Sequence, residues 1–301
     1  MSPRPTKKIA PVLTLEQIKG AAITAMFSDN ELFDTLVLKG GNALDLIHRL
    51  SSRASVDLDF SMKHDLPYGD SEGFCRRVER ALSKTFKQHR LHVFDVKMEE
   101  RPETVSAELA EFWGGYAIEF KLVDEVLARQ YSGQVEELRK RSLSLGQGKK
   151  FLIDISRYEY IDDRQVCEFE GFRIFVYSPE MIVCEKLRAI CQQMPAYGQV
   201  IRRSRPGTAR ARDFVDIFVL MDSLGLNLET GANLHILREM FKAKRVPLDL
   251  LGQISAFRDF HRAEFPSVQA TVKPGIQLRE FDFYFEYVVE LAKRLNALRN
   301  V

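Results

Sequence analysis

Tyr116, Ile118, Phe120 and Leu122 alternate with Ala117, Glu119 and Lys121, so Gly115 to Val123 reads as a strand with one face in a core. Leu91 to Met98 alternates in the same way. Short apolar runs predict further strands at Thr35 to Lys39, Ser55 to Met62, Lys149 to Ser156 and Gly171 to Tyr177. Between them the period is helical. Phe74, Val78, Leu82 and Phe86 recur every four residues over Ser71 to His89. Thr14-Leu15-Glu16-Gln17 is a capping box for a helix to about Met26, and a short helix is expected from Asn42 to Leu50.

After Ser178-Pro179-Glu180 the pattern becomes helical throughout. Ser178 can cap a helix with Pro179 at its first position. Helices are predicted at roughly 179–194, 209–224, 230–243, 247–260 and 277–299. The expected class is α/β (α+β), organised as a mixed-sheet half over 1–178 and a helical half over 179–301, with a ligand cleft between them. The basic, glycine-containing stretch from Arg139 to Lys150 is expected to be an exposed loop.

Composition narrows the picture only slightly. The 301 residues are 45% hydrophobic, enough for a sizeable core, and no run of eighteen apolar residues suggests a membrane span. Met1 to Lys8 is basic but lacks the apolar stretch of a secretory signal, so a cytoplasmic protein is expected. Cys75, Cys167, Cys184 and Cys191 form no C-x-x-C pair and no zinc spacing with histidine. Forty-four basic against 42 acidic residues leave a net charge of +2, so any nucleic-acid signal must be local.

The candidate chemistry begins at Leu38-Lys39-Gly40-Gly41-Asn42, a strand ending in a Gly-Gly turn that opens a helix. Ser55-Val56-Asp57-Leu58-Asp59-Phe60 follows. Residues two apart on a strand share a face, roughly 6.6 Å apart. Asp57 and Asp59 therefore converge while Val56, Leu58 and Phe60 face the core. Two carboxylates beside a glycine turn suit Mg²⁺ or Mn²⁺ with the triphosphate of an NTP, whose phosphates the helix start can bind. This reads as a metal-dependent nucleotidyltransferase. Asp154, interrupting the apolar strand Phe151 to Ile155, is the candidate third metal ligand; a salt bridge to a core arginine is the competing explanation, and Glu119 is the rival carboxylate. Ser55 shares the aspartate face and is either a phosphate donor or a strand-opening serine.

Lys186, in Glu185-Lys186-Leu187-Arg188-Ala189, lies near the apolar side of its helix, where it either reaches a triphosphate or snorkels. Arg202, Arg203, Arg205, Arg210 and Arg212 fall within one loop-like run, suited to phosphate recognition or simply solvated. Asp213 and Asp216, one turn apart, orient Lys186 or the arginines, or cap their helix. The chain has no G-x-x-x-x-G-K-[ST], G-x-G-x-x-G or G-x-S-x-G, and its histidines lack metal spacing.

With these segments in order, the chain resembles the AbiEii/AbiGii toxin family of nucleotidyltransferases over about residues 35 to 222. The likeness is carried by Lys39-Gly40-Gly41-Asn42-Ala43-Leu44, by Arg53, Ser55, Asp57 and Asp59, by Glu185 to Ala189, and by Arg210 to Asp216. Asn42 stands where threonine is commoner. The resemblance implies a polymerase-β-like core followed by a helical domain. It implies metal at Asp57 and Asp59, phosphate at Gly40, Gly41 and Ser55, triphosphate contact by Lys186 and a catalytic role for Asp213. Arg53 joins the nucleotide-binding set on its motif position. Members are toxins of toxin–antitoxin or phage-defence loci, and some relatives modify the 3′ end of tRNA and stop translation. RNA, with tRNA first, and a separately encoded antitoxin are therefore the expected partners. A small-molecule nucleotidyltransferase and a non-catalytic nucleotide-binding module are the alternatives.

Overall fold

The computed structural model describes residues 13–50, 58–104, 106–144, 148–273 and 275–298. Its helices open as their caps dictate. Thr14 Oγ1 accepts from the Gln17 amide at 3.2 Å while Gln17 Oε1 accepts from the Thr14 amide at 2.9 Å, starting α1 (Leu15–Phe27). Asp29 caps α2 (Asn30–Thr35), which takes the first residue of the strand expected from Thr35. The strand proper is β1 (Val37–Lys39). Gly40–Asn42 form a single turn, α3, that continues as a π-helical turn over Ala43–Ile47.

Asp59 lies on β2 (Leu58–Ser61); Arg53, Ser55 and Asp57 lie outside the described residues. There follow α4 (Ser71–Gln88), β3 (Leu91–Arg101), α5 (Ala107–Ala110), β4 (Gly115–Asp124), α6 (Glu125–Gln130), α7 (Val135–Arg141), β5 (Phe151–Ser156), β6 (Gln165–Phe169) and β7 (Phe172–Val176). Sequence patterning misses β6. It forms a hairpin with β7 through Glu170 and Gly171, at φ of 49° and 80°, the positive values of a tight two-residue turn. The basic stretch from Arg139 starts as the last turn of α7 and not as a loop. Arg139 is engaged there by Asp95, with Nε 2.6 Å from Oδ2.

The seven strands make one mixed sheet in the order β3-β4-β5-β2-β1-β7-β6, with β2–β5 and β1–β7 parallel and the other pairs antiparallel. Leu58 and Phe60 of β2 are buried on the face that α1 covers, where the Phe27 and Phe60 rings lie 6.0 Å apart. The opposite face carries the polar residues.

After Ser178 the described elements are helical: α8 (Pro179–Cys191), α9 (Pro195–Val200), α10 (Ala211–Leu224), α11 (Gly231–Ala243), a 3-10 helix over Leu248–Phe257, α12 (Arg258–Arg262), α13 (Phe265–Gln269) and α14 (Phe281–Ala297). A continuous apolar core joins sheet residues such as Leu38 and Phe60 to Leu187, Phe214 and Phe285 of the helices. Cys184 and Cys191 are buried in it, consistent with packing alone. Among the described residues no helix is long and apolar enough to cross a membrane.

Candidate active site

Strand pairing sets a row of side chains across the polar face of the sheet. Lys39 of β1 pairs with Asp59 of β2, Asp59 with Asp154 of β5, Asp154 with Ala117 of β4, and Ala117 with Glu99 of β3. Neighbouring strands lie about 4.8 Å apart, so the two aspartates rise side by side. Ala117, between Asp154 and Glu99, is small enough to leave the aspartates open. Asp59 is half-buried and the Asp154 side chain is 37% exposed. Arg101 is 3.6 Å from Asp154, but its own side chain is 49% exposed, so it is not the core arginine of the competing explanation. Glu119 is spent elsewhere, on Lys150 at 2.5 Å.

Gly40 has φ +69°, a left-handed turn, and a Cβ there would collide with the Asp59 carboxylate. A glycine is required on both counts. Asn42 is fully buried and does not line the cleft described below.

The sheet face is closed by α8. Ser178 Oγ accepts from the Met181 amide at 3.2 Å and Pro179 takes the first position, as the sequence suggested. Lys186, 6% exposed, donates to Asp213 Oδ1 at 3.0 Å and Asp216 Oδ2 at 2.7 Å on α10. Arg210 Nε adds a 2.5 Å bond to Asp213 Oδ2. Burial pushes the Asp213 carboxyl up, but the charges of Arg210 and Lys186 outweigh it and hold the group well below the usual range. Lys186 is thus a clamped interior cation rather than a snorkelling one.

A second ionic cluster, missed by sequence reading, lies alongside. Lys39 Nζ is 2.7 Å from Glu185 Oε1 and 3.0 Å from Ser156 Oγ. Arg188 binds Glu159 at 2.7 and 3.2 Å, and Lys244 from the end of α11 approaches Glu159 at 3.5 Å. Burial lowers the Lys244 amine to about 8, with Glu159 opposing the fall. Nothing local in sequence marks Glu159 or Lys244, whose partners come from distant segments.

The arginine run divides. Arg210 and Arg212 reach the cleft. Arg203 instead donates to the Gln192 and Gln193 carbonyls, both at 2.9 Å, and so closes the C-terminal end of α8. Arg202 is exposed and paired with Glu108; Arg205 is exposed.

These groups line a cleft of about 590 Å³ that includes Lys39, Gly40, Gly41, Asp59, Asp154, Lys186 and Asp213. Its donors fit a hard divalent cation: paired carboxylate oxygens at an open edge, without thiol or imidazole beside them. Among the described residues no three His, Cys, Asp or Glu side chains form a metal-sized group; Asp57 lies outside them.

A mixed sheet carrying carboxylates beside a glycine turn, closed by a lysine-bearing helix, suits a nucleotidyltransferase, and the chain is one by family. Residues 21–287 match the family described as nucleotidyl transferase AbiEii toxin, type IV TA system, and the chain belongs to that family. Its toxins act opposite a separate antitoxin. Among solved structures the chain is similar to JHP933 from Helicobacter pylori, with 16% identity, a TM-score of 0.46, and coverage of 95% of this chain and 91% of that one. It is also similar to a candidate nucleotidyltransferase from H. pylori, at 18% identity and a TM-score of 0.44, covering 94% and 96%. No curated protein sequence matches. Membership of the family rests on the matched residues and not on the structural likenesses.

Proposed function

We propose that this toxin transfers a nucleoside monophosphate from an NTP to the 3′ hydroxyl of an RNA, a tRNA 3′ end in the first place, and so blocks translation in the cytoplasm. The acceptor oxygen bonds to the α-phosphorus and gives up its proton to solvent, and pyrophosphate leaves with the electron pair of the broken bond between the α-phosphorus and the bridging oxygen. The observation that carries this reading is the in-register pairing of Asp59 with Asp154 against the Gly40 turn. Asp59 and Asp154, with Asp57, are the residues that would hold Mg²⁺ or Mn²⁺. When bound, such an ion neutralises phosphate charge and acidifies the attacking hydroxyl.

The protein's own groups do the rest. Gly40 and Gly41 let the backbone approach phosphate closely. Ser55 and Arg53 are assigned to the nucleotide on their motif positions. Lys186 supplies positive charge to the triphosphate, and Asp213 with Asp216 fixes its position. Arg210 and Arg212 extend the positive wall toward a polyanionic acceptor, which favours RNA over a cationic small molecule.

Total RNA incubated with each α-labelled NTP and Mg²⁺ tests the reading. Label in the tRNA fraction is expected. Label only in protein or a small molecule would eliminate RNA as acceptor, and no incorporation with any acceptor would eliminate the transferase chemistry.

A further inference from the structure

The cleft has one component that phosphate and metal chemistry leave unused. Trp113, the only tryptophan in the chain, sits between α5 and β4 and is half-buried on the cleft wall. Its backbone amide bonds to the Leu109 carbonyl at 2.8 Å. Gly114 follows at φ +109°, where a Cβ would lie 2.6 Å from Arg157 Nη2, so the turn that places the indole is tightly constrained. The next residue, Gly115, pairs with Ser156, which holds Lys39. Gly115, Ser156, Ser61 and Val37 align one to the next, two residues along the sheet from the Lys39–Asp59 pair, and the indole lines the same cleft as that pair.

The ring is fixed from the helical side. Its centroid is 6.0 Å from that of buried Tyr197, and Lys244 Nζ lies 5.9 Å from the ring centre. Tyr197 donates to the Lys244 carbonyl at 2.7 Å and lies 3.4 Å from Gln192 Nε2. Gln192 also lines the cleft, bringing a primary amide into the same cavity as the indole. Tyr116, the other aromatic residue lining the cleft, is 3% exposed and its hydroxyl is bonded to Asp65 at 2.5 Å. Trp113 is thus the cleft aromatic with ring surface to offer.

We infer that Trp113 is the stacking wall of a nucleobase subsite, with Gln192 beside it as a base-edge partner. A flat π-face next to an amide matches a base, and every base offers a π-face to stack. The inference rests on the nucleotidyl-transfer reading and deepens it. The base comes either from the incoming nucleotide or from the terminal residue of the acceptor.

A single tryptophan makes the test direct. The wild-type protein is titrated with a non-hydrolysable NTP, with a short single-stranded RNA bearing a free 3′ hydroxyl, and with inorganic tripolyphosphate. Binding of each is measured separately by equilibrium dialysis. Quenching of Trp113 emission by a base-bearing ligand, but not by tripolyphosphate, is expected. Quenching by the NTP assigns the incoming base, and quenching by the RNA alone assigns the acceptor base. Trp113→Ala should weaken that ligand roughly ten-fold or more, while Trp113→Phe should largely retain it. Base-bearing ligands that bind and change the emission no more than tripolyphosphate does would overturn the subsite. RNA labelling that persists alongside such a result would leave the transferase reading standing. Failure of both base-bearing ligands to bind would overturn both. Wild-type fluorescence decides the question even if Trp113→Ala does not fold.

Discussion

Lys186 Nζ lies 2.7 Å from Asp216 Oδ2, a buried bond that joins the two helices bearing the family's later motifs. Asp213 and Asp216 are each 1% exposed, so the lysine is part of the packing as well as of the cleft. Removing one partner of a buried ion pair costs about 3–5 kcal/mol. Lys186→Ala should therefore lower the denaturant midpoint as well as abolish transfer. Lys186→Arg should recover more stability than activity, because a planar guanidinium places its charge differently. An alanine variant with an unchanged midpoint would mean that the clamp is not formed.

The paired aspartates make a cleaner activity test. Asp59 and Asp154 are partly solvated, so Asp59→Ala and Asp154→Ala should fold normally and lose Mg²⁺- or Mn²⁺-dependent transfer by about a hundred-fold or more. Circular dichroism checks the fold and labelled NTP the rate. An Asp154 variant retaining more than about a tenth of the rate, a loss of under ~1.4 kcal/mol in the barrier, would remove Asp154 from the metal-binding set. Asp57→Ala should behave like Asp59→Ala, and should also relieve the growth arrest expected when the wild type is expressed without its antitoxin.

Gly40→Ala brings together two defects, a left-handed backbone angle and a methyl group against the Asp59 carboxylate. The backbone strain costs about 1–2 kcal/mol. The carboxylate can swing aside, so most of the effect should fall on kcat rather than on folding. Wild-type turnover in a stably folded Gly40→Ala would show that the position of Asp59 is not critical.

Lys244 provides a pH signature. In the unfolded chain a lysine keeps its proton to about 10.4, whereas burial lets this amine lose it at about 8 when folded. Between those values the unfolded state binds more protons, so this group makes stability rise with pH, by at most about 1.4 kcal/mol per pH unit. Lys244→Met should flatten the rise between pH 8 and 10 in urea titrations. Parallel wild-type and variant profiles would show that the amine titrates normally.

For the acceptor, Arg202, Arg205 and Arg212 are the exposed members of the arginine run. Replacing them together with alanine should flatten the salt dependence of RNA binding, by somewhat under one unit of log–log slope for each lost phosphate contact, and leave NTP binding nearly intact. Arg203 must be left in place, since it holds the end of α8. An unchanged slope would mean that RNA runs elsewhere.

What the sequence determined by itself was much of what local period and local chemistry govern, though not the β6 hairpin strand or the helical turn at Arg139. Alternation at Gly115 to Val123, the Thr14 capping box and the Ser178-Pro179 helix start each appear within a residue or two of expectation, because each depends on neighbours a few positions away. The glycine turn and the aspartate strand were legible for the same reason. Tertiary structure alone decided which distant residues meet. Parallel pairing of β2 with β5 sets Asp154 beside Asp59, and strand register is a property of the assembled sheet, not of either strand. The sequence offered Asp213 and Asp216 as partners of Lys186, as partners of the arginines or as helix caps, and the packing of α8 on α10 decides that both clamp Lys186 while Asp213 also binds Arg210. Glu159 and Lys244 carry no local mark at all, and nothing near Arg188 in sequence points to Glu159 as its partner. Their charges are tolerable in the interior only because folding brings opposite charges from separate segments within hydrogen-bonding reach, and sequence spacing holds no record of that.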